Sequence, residues 1–374
     1  MGKILLKIGE LRKQKNISQQ TLAAALGVAF QTVSKWENGA TMPDITLLPD
    51  IAAYFDVTVD QLLGLRPLSG EEYVAVESGS NAYWNERLDY LLRTRKYIWN
   101  QDYLEFLTAK VWKLTEPVSV LDCGCGWGFL ASFLLPLLPE GSTYTGIDQS
   151  EKLLEEAKRI HTAENIRFLS GDFMEYEISR PYDVVIEQTV LRHVGQPEQF
   201  LEKMICSCKP GGLVICIDVN RELESSGLYI DGMDYGYLCE RPGFPKMWKM
   251  ELEKQDRDYA VGIRLPFWME LAGLQNVGVR MNDKVNFISP AQEDFAAAMS
   301  DLMETRGWGQ NTDPDEEAAI ARFMNHGMTR SEGEKYCRRQ RKISDFLKER
   351  GKSAAMAVTG GLMISYGWKE PAGK

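Results

Sequence analysis

Residues 118–130 read Val-Ser-Val-Leu-Asp-Cys-Gly-Cys-Gly-Trp-Gly-Phe-Leu. Glycines at every second position, Gly124, Gly126 and Gly128, tolerate positive φ and let a ligand approach bare backbone. A helix opening behind them would turn unpaired amide donors toward that ligand. Three carboxylates accompany the loop: Asp122 before it, Asp148 closing Tyr144-Thr145-Gly146-Ile147, and Asp172 in Gly171-Asp172-Phe173. An acid about 20 residues past such a loop is placed to accept from ribose hydroxyls. The spacing is G-x-G-x-G, which departs from the G-x-G-x-x-G of dinucleotide loops. No Lys or Arg stands in it to meet a diphosphate. The set therefore suits a nucleoside without phosphates. His193, in Gln188-Thr189-Val190-Leu191-Arg192-His193, could take a proton from an oxygen or nitrogen nucleophile, or could simply pack a following helix. Cys123 with Cys125, and Cys206 with Cys208, are C-x-C pairs that lack the C-x-x-C spacing of zinc ligands. No metal is expected, and the loop cysteines read as small, soft fillers.

Strands and helices in alternation must position these groups. β-branched or apolar runs at 118–121, 144–148, 166–169, 182–188 and 213–219 predict five strands of a parallel sheet. Helical periods fall at 153–161 and 200–208, the latter followed by the turn Lys209-Pro210-Gly211-Gly212. A helix over 266–272 and strands over 276–281 and 362–366 follow. Upstream, helices over 84–95 and 102–114 are joined by Tyr97-Ile98-Trp99-Asn100-Gln101-Asp102-Tyr103. Segments 295–305, 316–326 and 332–350 are helical by period.

The 374 residues allow two or three domains. Hydrophobic content of 44% and charged content of 26% are those of an ordinary globular protein. No run reaches the ~18 to 20 apolar residues of a membrane span, and the charged N-terminus is not a secretory signal. Seven cysteines, an odd number, point to reduced thiols in the cytoplasm. A net charge of −10 excludes a generic nucleic-acid sponge.

The ordered series Asp122, Gly124-Cys125-Gly126, Asp148, Gly171-Asp172-Phe173 and Lys209-Pro210-Gly211-Gly212 resembles class I S-adenosylmethionine-dependent methyltransferases. That resemblance implies a Rossmann-like α/β domain with S-adenosyl-L-methionine as cofactor. It sets Asp122 and the Gly124, Gly126 and Gly128 backbone, with Cys125 between them, at the methionine end, Asp148 with Gln149 at the ribose, and Asp172 with Phe173 at the adenine. Glu187 and Gln188, ending the fourth strand, would face the amino-acid moiety. In such enzymes the segment carrying Tyr97, Asn100 and Tyr103 lies over the cofactor, although aromatics at this spacing serve equally as core. His193 is the candidate base. Extra segments at about 221–262 and 290–352 match no motif; they sit where open sheets grip substrate. Tyr229, Tyr235, Tyr237, Phe244 and Trp248 would line an acceptor pocket or fill the insertion core.

Residues 2–64 form a separate unit of short helices. Ile4, Leu5, Ile8 and Leu11 recur at helical spacing, Ser18 caps a second helix that Gly27 ends, and a third helix runs to Asn38. The series Ser18-Gln19-Gln20-Thr21-Leu22-Ala23, Leu26-Gly27-Val28, Thr32-Val33-Ser34-Lys35-Trp36-Glu37-Asn38-Gly39 and Pro43 resembles the Cro/repressor-like (XRE) helix-turn-helix domain. By that resemblance Gln19 meets phosphate, Phe30, Gln31, Thr32 and Lys35 sit where base edges are read, and Arg12 pairs with Glu37. Ala29 departs from the family, which caps this helix with Ser or Thr. Cations and acids are balanced in the unit, so double-stranded DNA binding would call for a homodimer.

The expected organisation is multidomain: an all-α helix-turn-helix domain over 1–64, a linker over 65–82, and a Rossmann-like methyltransferase domain with helical insertions over 83–374. The implied function is methyl transfer to a small molecule by a protein that also binds specific DNA. A second reading stays open, in which the methyltransferase-like domain of a transcriptional regulator senses S-adenosylmethionine or a metabolite without turnover. A nucleic-acid methyltransferase is disfavoured, because Glu187-Gln188 stands where amino-methylating enzymes carry Asn/Asp-Pro-Pro-Tyr/Phe.

Overall fold

Apolar runs fold into parallel strands because both faces of each are covered, and the alternation of side chains divides them between two cores. The computed structural model describes residues 6–65, 68, 81–308 and 316–372. Its main sheet holds β1 (Ser119–Cys123), β2 (Thr143–Asp148), β3 (Ile166–Ser170), β4 (Tyr182–Gln188), β5 (Cys208–Val219), β7 (Gln275–Met281) and β10 (Leu362–Trp368), in the order β3-β2-β1-β4-β5-β10-β7. The first five are parallel, and β10 runs antiparallel to both neighbours. Register sets Leu121 beside Thr145 and Val185. Val120, Val184, Ile186, Ile215 and Ile364 build one core; Leu121, Cys123, Val185, Val214 and Cys216 build the other. β5 begins at Cys208 and runs through the expected Lys-Pro-Gly-Gly turn, with a register shift against β4 at Tyr182/Val184.

A second sheet, not foreseen from the sequence, pairs β6 (Leu228–Ile230), β9 (Met356–Thr359) and β8 (Val285–Ile288) antiparallel in the order β6-β9-β8. The three strands come from segments more than fifty residues apart, and each is too short to show a period.

The N-terminal helices are Ile8–Gln14, Gln19–Ala25, Phe30–Glu37, Leu48–Phe55 and Val59–Leu62. Ile8, Leu22, Val33, Ile51 and Leu62 are fully buried between them. Ser18 caps the second helix, accepting from Thr21 N–H at 3.0 Å, and Gly27 leaves it at a φ of +67°. Ile4, Leu5 and most of the expected linker over 65–82 lie outside the described residues. The chain divides into two compact units: residues 1–75 with 241–250 and 310–345, and residues 76–240 with 251–309 and 346–374. Part of each expected insertion thus groups with the helix-turn-helix unit. No helix among the described residues is long and apolar enough to cross a membrane.

Candidate functional site

Strand order reverses between β1 and β4, where an open parallel sheet leaves a crevice beyond its carboxyl ends. A crevice of about 300 Å³ lies there, within the range of small-molecule sites. Its walls include Gly124, Gly126, Asp148, Asp172, Gln188 and His193, with Gln149, Gly171 and Phe173 beside them. Gly124 and Gly126 hold φ of +82° and +53°. A Cβ on Gly124 would stand 2.5 Å from Val190 Cγ2, so the approach needs glycine. The loop then folds onto β2. Gly124 and Cys125 N–H donate to the Ile147 carbonyl at 2.8 and 3.0 Å, and Gly126 N–H donates to Asp148 at 2.8 Å. The other Asp148 oxygen accepts from Ser150 N–H at 2.8 Å. Burial raises the Asp148 pKa against these amides.

The expectation of free amide donors is corrected by these bonds. Gly128 N–H also returns to the Cys125 carbonyl at 2.9 Å, and the helix behind it, Phe129–Phe133, has only five residues. With those amides consumed inside the loop, a phosphate would find no cradle of donors there.

Several residues expected at the ligand are not brought to the crevice. Asp122 is 2% exposed; one oxygen accepts from the Tyr144 hydroxyl, and the other has no partner among the described residues. Burial pushes its pKa up to about 7. Cys125 lies with its Sγ over Gly146, where a Cβ would stand 2.6 Å away. Glu187 is fully buried and accepts from Val190 and Ile217 N–H, each at 3.0 Å, fastening the end of β4 to β5. Burial, helped by Asp218, drives its pKa far up. Asp122 and Glu187 stand inside hydrogen-bonded strands, one residue short of the tip. Tyr97 donates to Asp301 at 3.0 Å, and Tyr103 to the Met281 carbonyl at 2.9 Å, so both hydroxyls face the later segments.

A second chamber, of about 370 Å³, shares Trp84, Leu91, Arg95, Thr189 and His193 with the crevice. Tyr97 belongs to this chamber. His193 ends the short turn Leu191–His193 and meets the Trp84 ring edge-on, 5.3 Å between centroids. Burial holds its pKa well below the usual imidazole value, and the guanidiniums of Arg192, Arg257, Arg221 and Arg95 press it further down. The ring is therefore neutral near pH 7. The sequence reading singled out neither Arg95 nor Thr189. The arginine is one charge on a helical face, and Thr189 owes its place to a φ of +58° that its residue type does not announce. Tyr229 and Tyr235 are exposed with rings 6.1 Å apart, and Phe244 packs on Trp248 and Tyr336; none of these lines either cavity.

In the N-terminal unit Arg12 pairs with Glu37 at 2.6 Å. Gln19 donates its side-chain amide to the same carboxylate at 2.7 Å. Phe30 is 43% exposed at the start of its helix; Gln31 and Lys35 are exposed and Thr32 is half-buried. Ala29 holds the extended N-cap conformation without a side-chain bond.

The model of a methyltransferase domain matches residues 114–259, and that of a helix-turn-helix matches residues 8–62. Ubiquinone biosynthesis O-methyltransferase of Rickettsia akari is 30% identical over 174 residues, which are 46% of this chain and 68% of that protein. The chain belongs to the S-adenosylmethionine-dependent methyltransferases. The protein of the same description from Caulobacter vibrioides is 32% identical over 146 residues, 38% of this chain and 56% of that methyltransferase. The chain thus spans about two thirds of the first of these relatives and little more than half of the second. Among solved methyltransferases, Haemonchus contortus phosphoethanolamine N-methyltransferase 2 in complex with S-adenosyl-L-methionine matches at a TM-score of 0.43 and 14% identity, over 78% of this chain and 60% of that one. The crevice fits the family's cofactor on its own chemistry. Gly124, whose missing Cβ lets Val190 pack close, and Gly126 present only backbone to its wall, a carboxylate stands at the β2 tip, and no phosphate cradle competes.

Proposed function

We propose that this chain transfers the methyl group of S-adenosylmethionine to a small molecule held in the second chamber, and that its N-terminal unit binds double-stranded DNA. One observation carries the catalytic reading: Arg95, Thr189 and His193 border both cavities, so the two are immediate neighbours with a common wall. Asp148 would hold the ribose hydroxyls, Asp172 and Phe173 the adenine, and the Gly124 and Gly126 carbonyls with Gln188 the ammonium of the amino-acid end. The cofactor, when bound, supplies a methyl already activated on a sulfonium. The chain's task is then orientation, and near-attack placement can supply most of the acceleration. His193, kept neutral by its surroundings, would take the acceptor's proton. On the DNA side Phe30, Gln31, Thr32 and Lys35 would face base edges, with Gln19 held ready by Glu37.

The helix-turn-helix match favours a second reading, a regulator that binds the cofactor without turning it over. Titrating S-adenosylmethionine calorimetrically into wild type and Asp148→Ala, then following S-adenosylhomocysteine with candidate acceptors, separates the cases. We expect micromolar binding (order of magnitude), at least a hundredfold weaker in the variant, and time-dependent product. Binding without product across acceptors leaves the sensor; equal heats in both proteins would sink the site.

A further inference from the structure

Six arginines, Arg87, Arg95, Arg192, Arg221, Arg257 and Arg306, line the second chamber against one carboxylate, Glu224. Two are matched by salt bridges: Arg221 to Glu224 at 2.5 Å and Arg257 to Glu251 at 2.5 Å. Arg95, Arg192 and Arg306 have no ion pair among the described residues. Arg192 is 7% exposed, and its Nε lacks a hydrogen-bond partner among the described residues. Asp218 and Glu224 counter its charge through space, yet burial, with Arg221 and Arg257, still pulls its pKa to about 9, so it is charged at neutral pH. Arg95 donates to Thr189 Oγ1 at 3.3 Å, and both residues also line the first crevice. A buried, unpaired guanidinium is costly, and that of Arg192 still carries its charge at neutral pH. Its cost is offset when a bidentate oxyanion arrives.

We propose that the second chamber receives a small acceptor carrying an oxyanion, a carboxylate or a phosphate monoester, seated on Arg95 and Arg192 with its nucleophile toward His193. This rests on the reading of the first crevice as the cofactor site. Tyr83, Trp84 and Tyr90, also in the walls, supply apolar faces for an organic body attached to the anion. In the transfer the acceptor's oxygen or nitrogen bonds to the methyl carbon as the carbon–sulfur bond breaks. Sulfur keeps the electron pair, and the acceptor's proton passes to His193. The oxyanion is a handle and does not react.

The test uses the full chain. S-adenosylhomocysteine binding is first measured by calorimetry. The saturated protein is then melted with inorganic phosphate, benzoate or uncharged benzamide, at ionic strength fixed with chloride. Phosphate or benzoate is expected to raise Tm while benzamide does not, and which anion acts tells a phosphate handle from a carboxylate one. Arg192→Leu should lose at least tenfold in anion affinity; if it does not fold, half-buried Arg95→Gln carries the same comparison. The inference is overturned if S-adenosylhomocysteine binds but neither anion exceeds chloride, if benzamide equals benzoate, or if a folded variant responds as wild type does. Failure of S-adenosylhomocysteine to bind overturns the first crevice instead, and the anion melts of the unloaded chain still decide the second.

Discussion

His193 illustrates how a side chain's surroundings decide its use. An isolated imidazole is half protonated near pH 6.5, but burial and four guanidiniums hold this one neutral well into the acid range. A base already free of its proton gives a rate that stays level between pH 8 and 6, where an ordinary histidine would lose activity as pH falls through 6.5. His193→Gln should lower single-turnover methyl transfer about a hundredfold; a loss under threefold would reduce the residue to packing. Asp122 has the opposite character. Its folded pKa of about 7 exceeds the ordinary 3.8, so the folded state holds this proton more tightly than the unfolded chain does. The stability it confers is full below pH 4 and is lost as pH climbs to about 7, on the order of 4 kcal/mol. Glu187 and Asp218 shift in the same direction. Urea unfolding at pH 4.5 and 7.5 should therefore show the chain weakening with pH, and Asp122→Asn should flatten part of that slope. An unchanged slope in the variant would return Asp122 to an ordinary carboxylate.

Among the elements, the helix Phe30–Glu37 is the one whose sequence leaves an obvious gain. Its N-cap, exposed Ala29, already holds φ −73° and ψ 147° but offers no oxygen to the first turn. Ala29→Ser should stabilise the N-terminal unit by about 1 kcal/mol, read as a higher urea midpoint for the transition that quenches Trp36. No rise would mean that the cap's amides are satisfied in another way. This absence of a cap was legible from residue type, as were the Ser18 cap, the strands of the main sheet and the glycine loop, because each depends on neighbours close in sequence or on a short period; the Arg12–Glu37 pair, 25 residues apart, was legible only through the family resemblance. Other features depended on distant partners and were not legible. The glycine loop's amides are consumed by Ile147 and Asp148, whose carbonyl and carboxylate come from another strand. Glu187 looks like a strand-tip acid, yet the backbone of β5 and of Val190 closes over it. The three short strands of the second sheet have meaning only when 228–230, 285–288 and 356–359 meet. The arginines of the second chamber, spread from 87 to 306, look in sequence like separate surface charges.

At the scale of the whole molecule, charge sets the terms on which DNA can be bound. The chain carries −10 overall, and residues 6–65 hold five cations against six acids. Of those cations Lys7 is tied to Glu10 at 2.7 Å and Arg12 to Glu37, while Lys15 donates to the Tyr54 carbonyl at 2.5 Å. Lys13 remains for phosphate, and Lys35, beside the base edges, brings a second charge among the groove's phosphates. Each phosphate neutralised contributes about −0.9 to the slope of log affinity against log salt, which predicts a slope of about −2 for one bound copy and about −4 for two. A single copy so lightly charged would hold DNA weakly, so binding near physiological salt should appear together with the doubled slope and with half-sites one helical turn apart. Fluorescence anisotropy on a selected duplex across a salt series measures this directly. Lys35→Ala should remove about one charge per copy from the slope. A slope of −6 or steeper for a single bound copy would show that DNA is held by a surface other than the helix Phe30–Glu37, and the assignment of Gln31, Thr32 and Lys35 to base edges would fall with it.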